Sequence, residues 1–180
     1  GLSTKIMPHN FKELIDASVK VLKGNNPKIF PDFASGGMAD FSDYNDGKRG
    51  GRIRVRAKIS QIDKNTLHIT EIPFSTTTTS LINSILKAND KGKIKIKKVE
   101  DNTSENVEIA IELPTGISPD KTIDALYSFT DCELSISPLS CVIDNDSPQF
   151  IGVSEMLQIS TKHTLELLKK ELEITLEELQ

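Results

Sequence analysis

Hydrophobic and polar positions alternate along this chain with two distinct periods. From Asn10, the residues Phe11, Leu14, Ile15, Val19 and Leu22 recur at helical spacing, and Gly24-Asn25 closes the run. Asn10 is a good first cap, and Glu13 stands where a capping box wants an acid. A helix with one buried face is expected there. Residues 24–51, broken by Pro27, Pro31, Gly36, Gly37, Gly47, Gly50 and Gly51, read as a long irregular connection. A stretch of that length is uncommon in a compact domain unless it is functional.

The period then changes to two. Ile53, Val55, Ala57 and Ile59 point one way, and Arg52, Arg54, Arg56 and Lys58 the other. A turn at Asp63–Asn65 leads to a strand over 66–72, which stops at Pro73. Beyond it the pattern predicts a helix near 79–89, strands over 93–100 and 106–113, a helix over 119–129 and a strand over 133–143. Ser118-Pro119 opens the second of these helices.

This is the β-α-β-β-α-β order of a split βαβ arrangement. The fold class expected is α+β: a largely antiparallel sheet with flanking helices. A terminal helix follows, its Leu165, Leu168, Leu172, Leu176 and Leu179 forming the seam of a beginning coiled coil.

Charge changes the picture more than composition does. The chain of 180 residues carries a net charge of -4, yet residues 1–58 hold eleven Lys/Arg against six Asp/Glu. An anionic partner would be met in this first third, because charge acts locally. Lys48, Arg49, Arg52, Arg54 and Arg56 are its densest basic cluster, spaced as phosphate contacts need to be. The alternative for these residues is a solvated strand face with snorkelling stems. A second group, Lys91, Lys93, Lys95, Lys97 and Lys98, reads as edge-strand protection.

Two cysteines, Cys132 and Cys141, make neither a disulfide framework nor a metal site. With no apolar run of membrane length and no signal peptide, they fit a cytoplasmic protein. No GxxxxGK or GxGxxG phosphate loop occurs.

Four segments in order resemble one family. They are Gly1–Asn10 (GLSTKIMPHN), Pro31-Asp-Phe33 before two glycines, Gly50–Ala57 (GGRIRVRA), and Thr70–Phe74 (TEIPF) followed by Ser80-Leu-Ile. Together they are similar to the A subunits of bacterial type IIA DNA topoisomerases, the gyrase and topoisomerase IV group. The resemblance implies an internal segment of a longer polypeptide. Residues 1–50 would end the DNA-cleaving winged-helix region and its linker, 51–150 would form the tower domain, and 151–180 would start a coiled coil.

It further implies that Ile6 wedges between base pairs of a bent duplex, with Lys5, His9 and Asn10 beside it and Lys48, Arg49, Arg52 and Arg54 on phosphates. The implied partners are double-stranded DNA, a B subunit that brings the Mg2+ and ATP chemistry, and a second copy of the same polypeptide as a homodimer, in a nucleoid-associated setting. The family's catalytic Tyr follows an Arg. Here Tyr44 follows Asp43 and Tyr127 follows Leu126, so neither matches and no catalytic residue is expected in this segment. At Thr78 and Ser80 the chain also lacks the cations its relatives carry before Leu-Ile. The element order alone is equally compatible with a ferredoxin-like ligand-binding or protein-interaction module that has no DNA role.

Overall fold

A computed structural model describes residues 2–144 and 146–179; the chain ends, Gly1 and Gln180, lie outside the described residues. The chain divides into two compact units: Gly1–Asp32 with Asp43–Arg52 and Ser137–Gln180, and Phe33–Ser42 with Ile53–Ile136.

In the second unit the period-two segments form strands and the helical ones pack against them. β1 (Met38–Asp40), β2 (Ile53–Arg56) and β7 (Glu133–Ile136) form a three-stranded antiparallel sheet in the order β1-β2-β7. β3 (Lys58–Gln61), β4 (Thr66–Glu71), β5 (Lys98–Asp101) and β6 (Ile109–Glu112) form a four-stranded one in the order β3-β4-β6-β5. Helices α2 (Thr78–Asp90) and α3 (Pro119–Phe129) complete the unit.

The core joins Leu67 and Ile69 of β4, Ile109 and Ile111 of β6, Leu81, Ile85 and Ala88 of α2, and Leu126 of α3. Burying each large aliphatic side chain contributes about 1.5–3 kcal/mol. The α+β class and the antiparallel sheets agree with the pattern in the sequence.

One detail differs. A split β-α-β-β-α-β sheet would seat its last strand beside β4. That edge is taken by β3, the hairpin partner of β4 across the Asp63–Asn65 turn, where Asp63 Oδ1 accepts the Asn65 amide at 2.8 Å. β7 therefore pairs with β2, from Ile53↔Ile136 to Arg56↔Glu133, and the Ala57 amide extends the ladder to the Cys132 carbonyl at 2.8 Å.

Other strands are shorter than expected. Residues 93–97 stay irregular, held where Asn89 Oδ1 accepts the Ile96 amide, and strand 133–143 breaks at Pro138, which has no amide to donate. The connection 24–51 is not wholly irregular: it contains β1 and a tight turn over Asn45–Gly47. Ser118 occupies the N-cap position of α3, but its side chain makes no capping bond.

In the first unit, α1 (Phe11–Leu22) packs against α4 (Val153–Leu179), and β8 (Val142–Asp144) pairs with β9 (Ser147–Gln149). Asn10 caps α1, its Oδ1 accepting the Lys12 and Glu13 amides at 3.0 and 3.3 Å. The face of α1 that is covered runs through Leu14, Ala17, Ser18 and Val21. Phe11, Ile15, Val19 and Leu22, expected on the buried stripe, are all exposed. Leu165, Leu168, Leu172 and Leu176 of α4 are exposed too, as a seam without its partner would be.

Candidate nucleic-acid interface

The N-terminal segment is extended and pinned. The Lys5 amide donates to the Leu139 carbonyl at 2.7 Å, and the Leu139 amide returns a bond to Lys5 at 3.0 Å. Thr4 Oγ1 donates to the same Leu139 carbonyl at 3.1 Å and accepts the Cys141 amide at 3.2 Å. Past the bridge, side chains alternate: Met7 is buried as an anchor, while Ile6 is 44% exposed. The Pro8 carbonyl accepts the Asp32 amide at 2.9 Å, and Asn10 Nδ2 donates to Asp32 Oδ2 at 3.2 Å.

His9 turns inward rather than outward. Its Nδ1 lies 2.9 Å from the Met7 carbonyl, which fixes the proton on that nitrogen, and its Nε2 is buried with no partner among the described residues. Burial holds the His9 pKa below its ordinary value, against the Met7 bond and the charges of Asp46 and Glu13. In this arrangement Nδ1 is engaged within the loop and Nε2 is turned away from solvent.

The second component is the turn Tyr44–Arg52 (YNDGKRGGR). Asn45, Asp46 and Gly47 are all left-handed, at φ 51°, 53° and 75°. Bonds from Gly47 to Tyr44 (3.2 Å), Lys48 to Asn45 (3.0 Å), Gly51 to Lys48 (3.1 Å) and Arg52 to Asp43 (2.8 Å) close it. Gly51 must be glycine, since a Cβ there would sit 2.2 Å from the Tyr44 carbonyl oxygen. Tyr44 is the buried floor of the turn. Its ring lies 6.2 Å from that of Phe30, and burial, then the charge of Asp46, pushes its phenol up to about 12.

The Gly47 carbonyl accepts the Ser140 amide at 3.0 Å. The single segment Leu139–Cys141 thus grips both the Thr4–Lys5 strand and the basic turn. Lys48, Arg49 and Arg52 project from this turn, exposed, and form no ion pair among the described residues.

Arg54 and Arg56 belong to the other unit and are engaged there. Arg54 Nη2 lies 3.6 Å from Asp40 Oδ2, whose carboxyl is held below its usual range, mainly by the Ser42 hydroxyl and amide. Arg56 pairs with Glu133 and places its guanidinium 4.9 Å over the Tyr127 ring. The lysine group at 91–98 is also partly neutralised, Lys97 by Glu112 and Lys98 by Glu100. In the Ser75–Ser80 loop, Thr77 caps α2, its hydroxyl accepting the Ser80 amide at 3.2 Å.

The geometry thus gathers Lys5, Ile6, His9, Asn10, Lys48, Arg49 and Arg52 in one unit and leaves Arg54 outside it. Among the described residues no three His, Cys, Asp or Glu side chains come together as a metal site, and no helix is long and apolar enough to cross a membrane.

The family model for the A subunits of DNA gyrase and topoisomerase IV matches residues 1–180. The chain belongs to this family. It is 40% identical over 174 residues to the DNA topoisomerase 4 A subunit of Borreliella burgdorferi, covering 97% of this chain and 28% of that protein. The DNA gyrase A subunit of the same organism is 26% identical, with 98% of this chain and 24% of the relative covered. That of Kosmotoga olearia is 29% identical, with 99% and 24% covered. The chain therefore spans about a quarter of the length of these family members.

Sequence reading missed Asp46, Ser140 and Ser154, which hold the turn in place. The one local signal was Gly152, a glycine where the terminal helix ought to start with a capping side chain.

Proposed function

We propose that this chain is the part of a type II topoisomerase A subunit that contacts and shapes the duplex to be cut, in an enzyme that changes DNA topology by double-strand passage. The observation carrying this is the exposed trio Lys48, Arg49 and Arg52, without ion pairs among the described residues. It sits on a rigid turn gripped by the same Leu139–Cys141 segment that holds the Ile6 strand. Three cations fixed on a closed turn fit phosphates spaced along a backbone, and releasing their counterions would drive binding.

On this reading residues 51–150 form the tower and 151–180 begin a coiled coil. Ile6 would wedge into the duplex, and Lys5 and Asn10 would approach phosphates beside it. His9 would brace that loop. Arg54, paired with Asp40, would contribute less than its neighbours. The nucleophilic Tyr would come from the longer polypeptide, and magnesium and ATP chemistry from a B subunit. The whole would act as a homodimer on the bacterial nucleoid. The higher identity to the topoisomerase 4 protein than to the gyrase protein of one organism, 40% against 26%, favours a topoisomerase IV type.

Binding of a ~30-base-pair duplex across a salt series tests the reading. With Lys48, Arg49 and Arg52 changed to Ala, the slope of log affinity against log salt should flatten by about 2–3 units, near 0.9 for each phosphate no longer neutralised. Arg54→Ala should change it by less than one such phosphate. An unchanged slope in the triple variant would remove the basic turn from the DNA surface.

A further inference from the structure

An acid in the middle of a phosphate-binding turn is at first sight misplaced. Asp46 stands two residues before Lys48, and its charge would repel the ligand the turn attracts. Its position explains it. The first bond of α4 runs from the Met156 amide to the Gly152 carbonyl at 3.0 Å, so Gly152 occupies the N-cap position and has no side chain to cap with. Asp46 supplies the missing group. Its Oδ1 and Oδ2 accept the Ser154 amide at 3.1 and 3.2 Å, and Oδ1 accepts the Ser154 hydroxyl at 2.8 Å.

The second helical amide is one of the two that an N-cap side chain ordinarily serves, and the helix dipole favours an anion there. Gly152 is also what admits the visitor. A Cβ on it would stand 2.1 Å from Asp46 Oδ2 and 2.9 Å from Lys48 Cε.

We infer that Asp46 is the N-cap of α4 donated from the basic turn, and that it is the positioning residue holding Lys48 and Arg49 in their phosphate-facing geometry. This rests on the DNA-contacting reading of that turn. Two consecutive non-glycine residues in the left-handed region, Asn45 and Asp46, are costly in isolation and persist only where surrounding structure over-determines them. Asn and Asp tolerate this region, and the bonds to Ser154 select it at residue 46. The Lys48 stem lies against Gly152 beside the cap, so turn and helix start form one joint. The carboxylate charge is taken up by α4 rather than presented to the ligand.

The test uses the full-length polypeptide with two readouts: hydrogen exchange at the Ser154 amide, and the salt slope of duplex binding. Asp46→Asn keeps one acceptor and tolerance of the left-handed region but gives up the charge. Ser154 exchange should then quicken clearly less than in the Gly variant, by about two-fold, and the slope should stay at the wild-type value. Asp46→Gly keeps the backbone at ease and deletes the acceptor. Exchange at Ser154 should quicken by about five-fold, as for loss of a typical cap, and the slope should flatten by about one phosphate. If Asp46→Gly does not fold, Gly152→Ala crowds the carboxylate out of the cap and should give the same pair of changes.

Faster exchange with an unchanged slope would make Asp46 a helix cap only and overturn the proposal. So would the absence of both changes, or an Asn variant that behaves like the Gly variant. The Lys48, Arg49 and Arg52 triple variant separates the two levels. If it leaves the slope unchanged, the DNA reading itself has failed; if it flattens the slope and Asp46→Gly does not, only the positioning role has.

Discussion

Ile6 and Met7 are neighbours with opposite environments. Met7 is 4% exposed and anchors the strand; Ile6, one residue away on the alternating backbone, keeps 44% of its surface free. A wedge residue needs that presentation, because it must be held from behind to unstack a base step, at a cost of a few kcal/mol that the wider contacts of the bent duplex recover. Ile6→Ala in the full-length polypeptide should therefore bind duplex with similar affinity but bend it less, read as a longer end-to-end distance by energy transfer. Unchanged bending would return Ile6 to ordinary packing.

Gly51 makes a purely structural counterpart. Its missing Cβ leaves room for the Tyr44 carbonyl oxygen, and only backbone movement could relieve the 2.2 Å approach. Gly51→Ala should cost about 1–3 kcal/mol, the usual cost of overpacking, seen as a lower denaturation midpoint.

At the level of elements, local signals carried most of the fold. The alternation in Thr66–Ile72 and the helical spacing after Asn10, near 79–89 and after Ser118 correspond to β4, α1, α2 and α3. The single strand expected over Ile53–Ile59 instead divides at Ala57 into β2 and β3, which join different sheets. Competition between strands was not legible. Nothing in Glu133–Ile136 says that β3 has already taken the edge of β4, because that depends on a hairpin some seventy residues earlier. β1 was hidden for another reason: Met38-Ala-Asp40 is too short to show a period and lies among glycines.

The basic cluster from Lys48 to Arg56 could be read from charge alone, and with it the proposed contact residues Lys48, Arg49 and Arg52. The separation of these three from Arg54 could not, since that turns on the ion pair with Asp40 across β1 and β2. The cap from Asp46 to Ser154 joins residues 108 apart and leaves only a glycine as its trace.

The two cysteines give a test at this scale. Cys132, just before β7, is fully buried, and burial pushes its thiol up to about 11; Cys141 precedes β8 and is half-buried. At pH 8 a thiol reagent should add once to the native chain, at Cys141, and a second time only in denaturant. Two rapid additions would mean that the β2–β7 pairing opens readily.

For the molecule as a whole, the titrating groups predict an asymmetric response to acid. The folded pKa of His9 lies below its ordinary 6.5, so its stabilising contribution is complete above that pH and is lost as pH falls through the depressed value. Asp40, Asp63 and Glu71 are depressed as well, first by the Ser42 hydroxyl, the Asn65 amide and the Gly37 amide respectively. Their contributions are complete above 3.8 for the aspartates and 4.5 for Glu71, and are lost only at lower pH.

Acid should therefore act in two stages, the first through one imidazole and the second through carboxylates. Thermal unfolding at pH 7.5, 5.5 and 3.5 should show a fall at each step in the wild type. His9→Asn, which has nothing to protonate in the first interval, should lose stability only in the second. An equal fall between pH 7.5 and 5.5 in both proteins would mean that the imidazole gains as much from Asp46 and Glu13 when charged as it loses by burial. The brace behind Ile6 would then be indifferent to protonation.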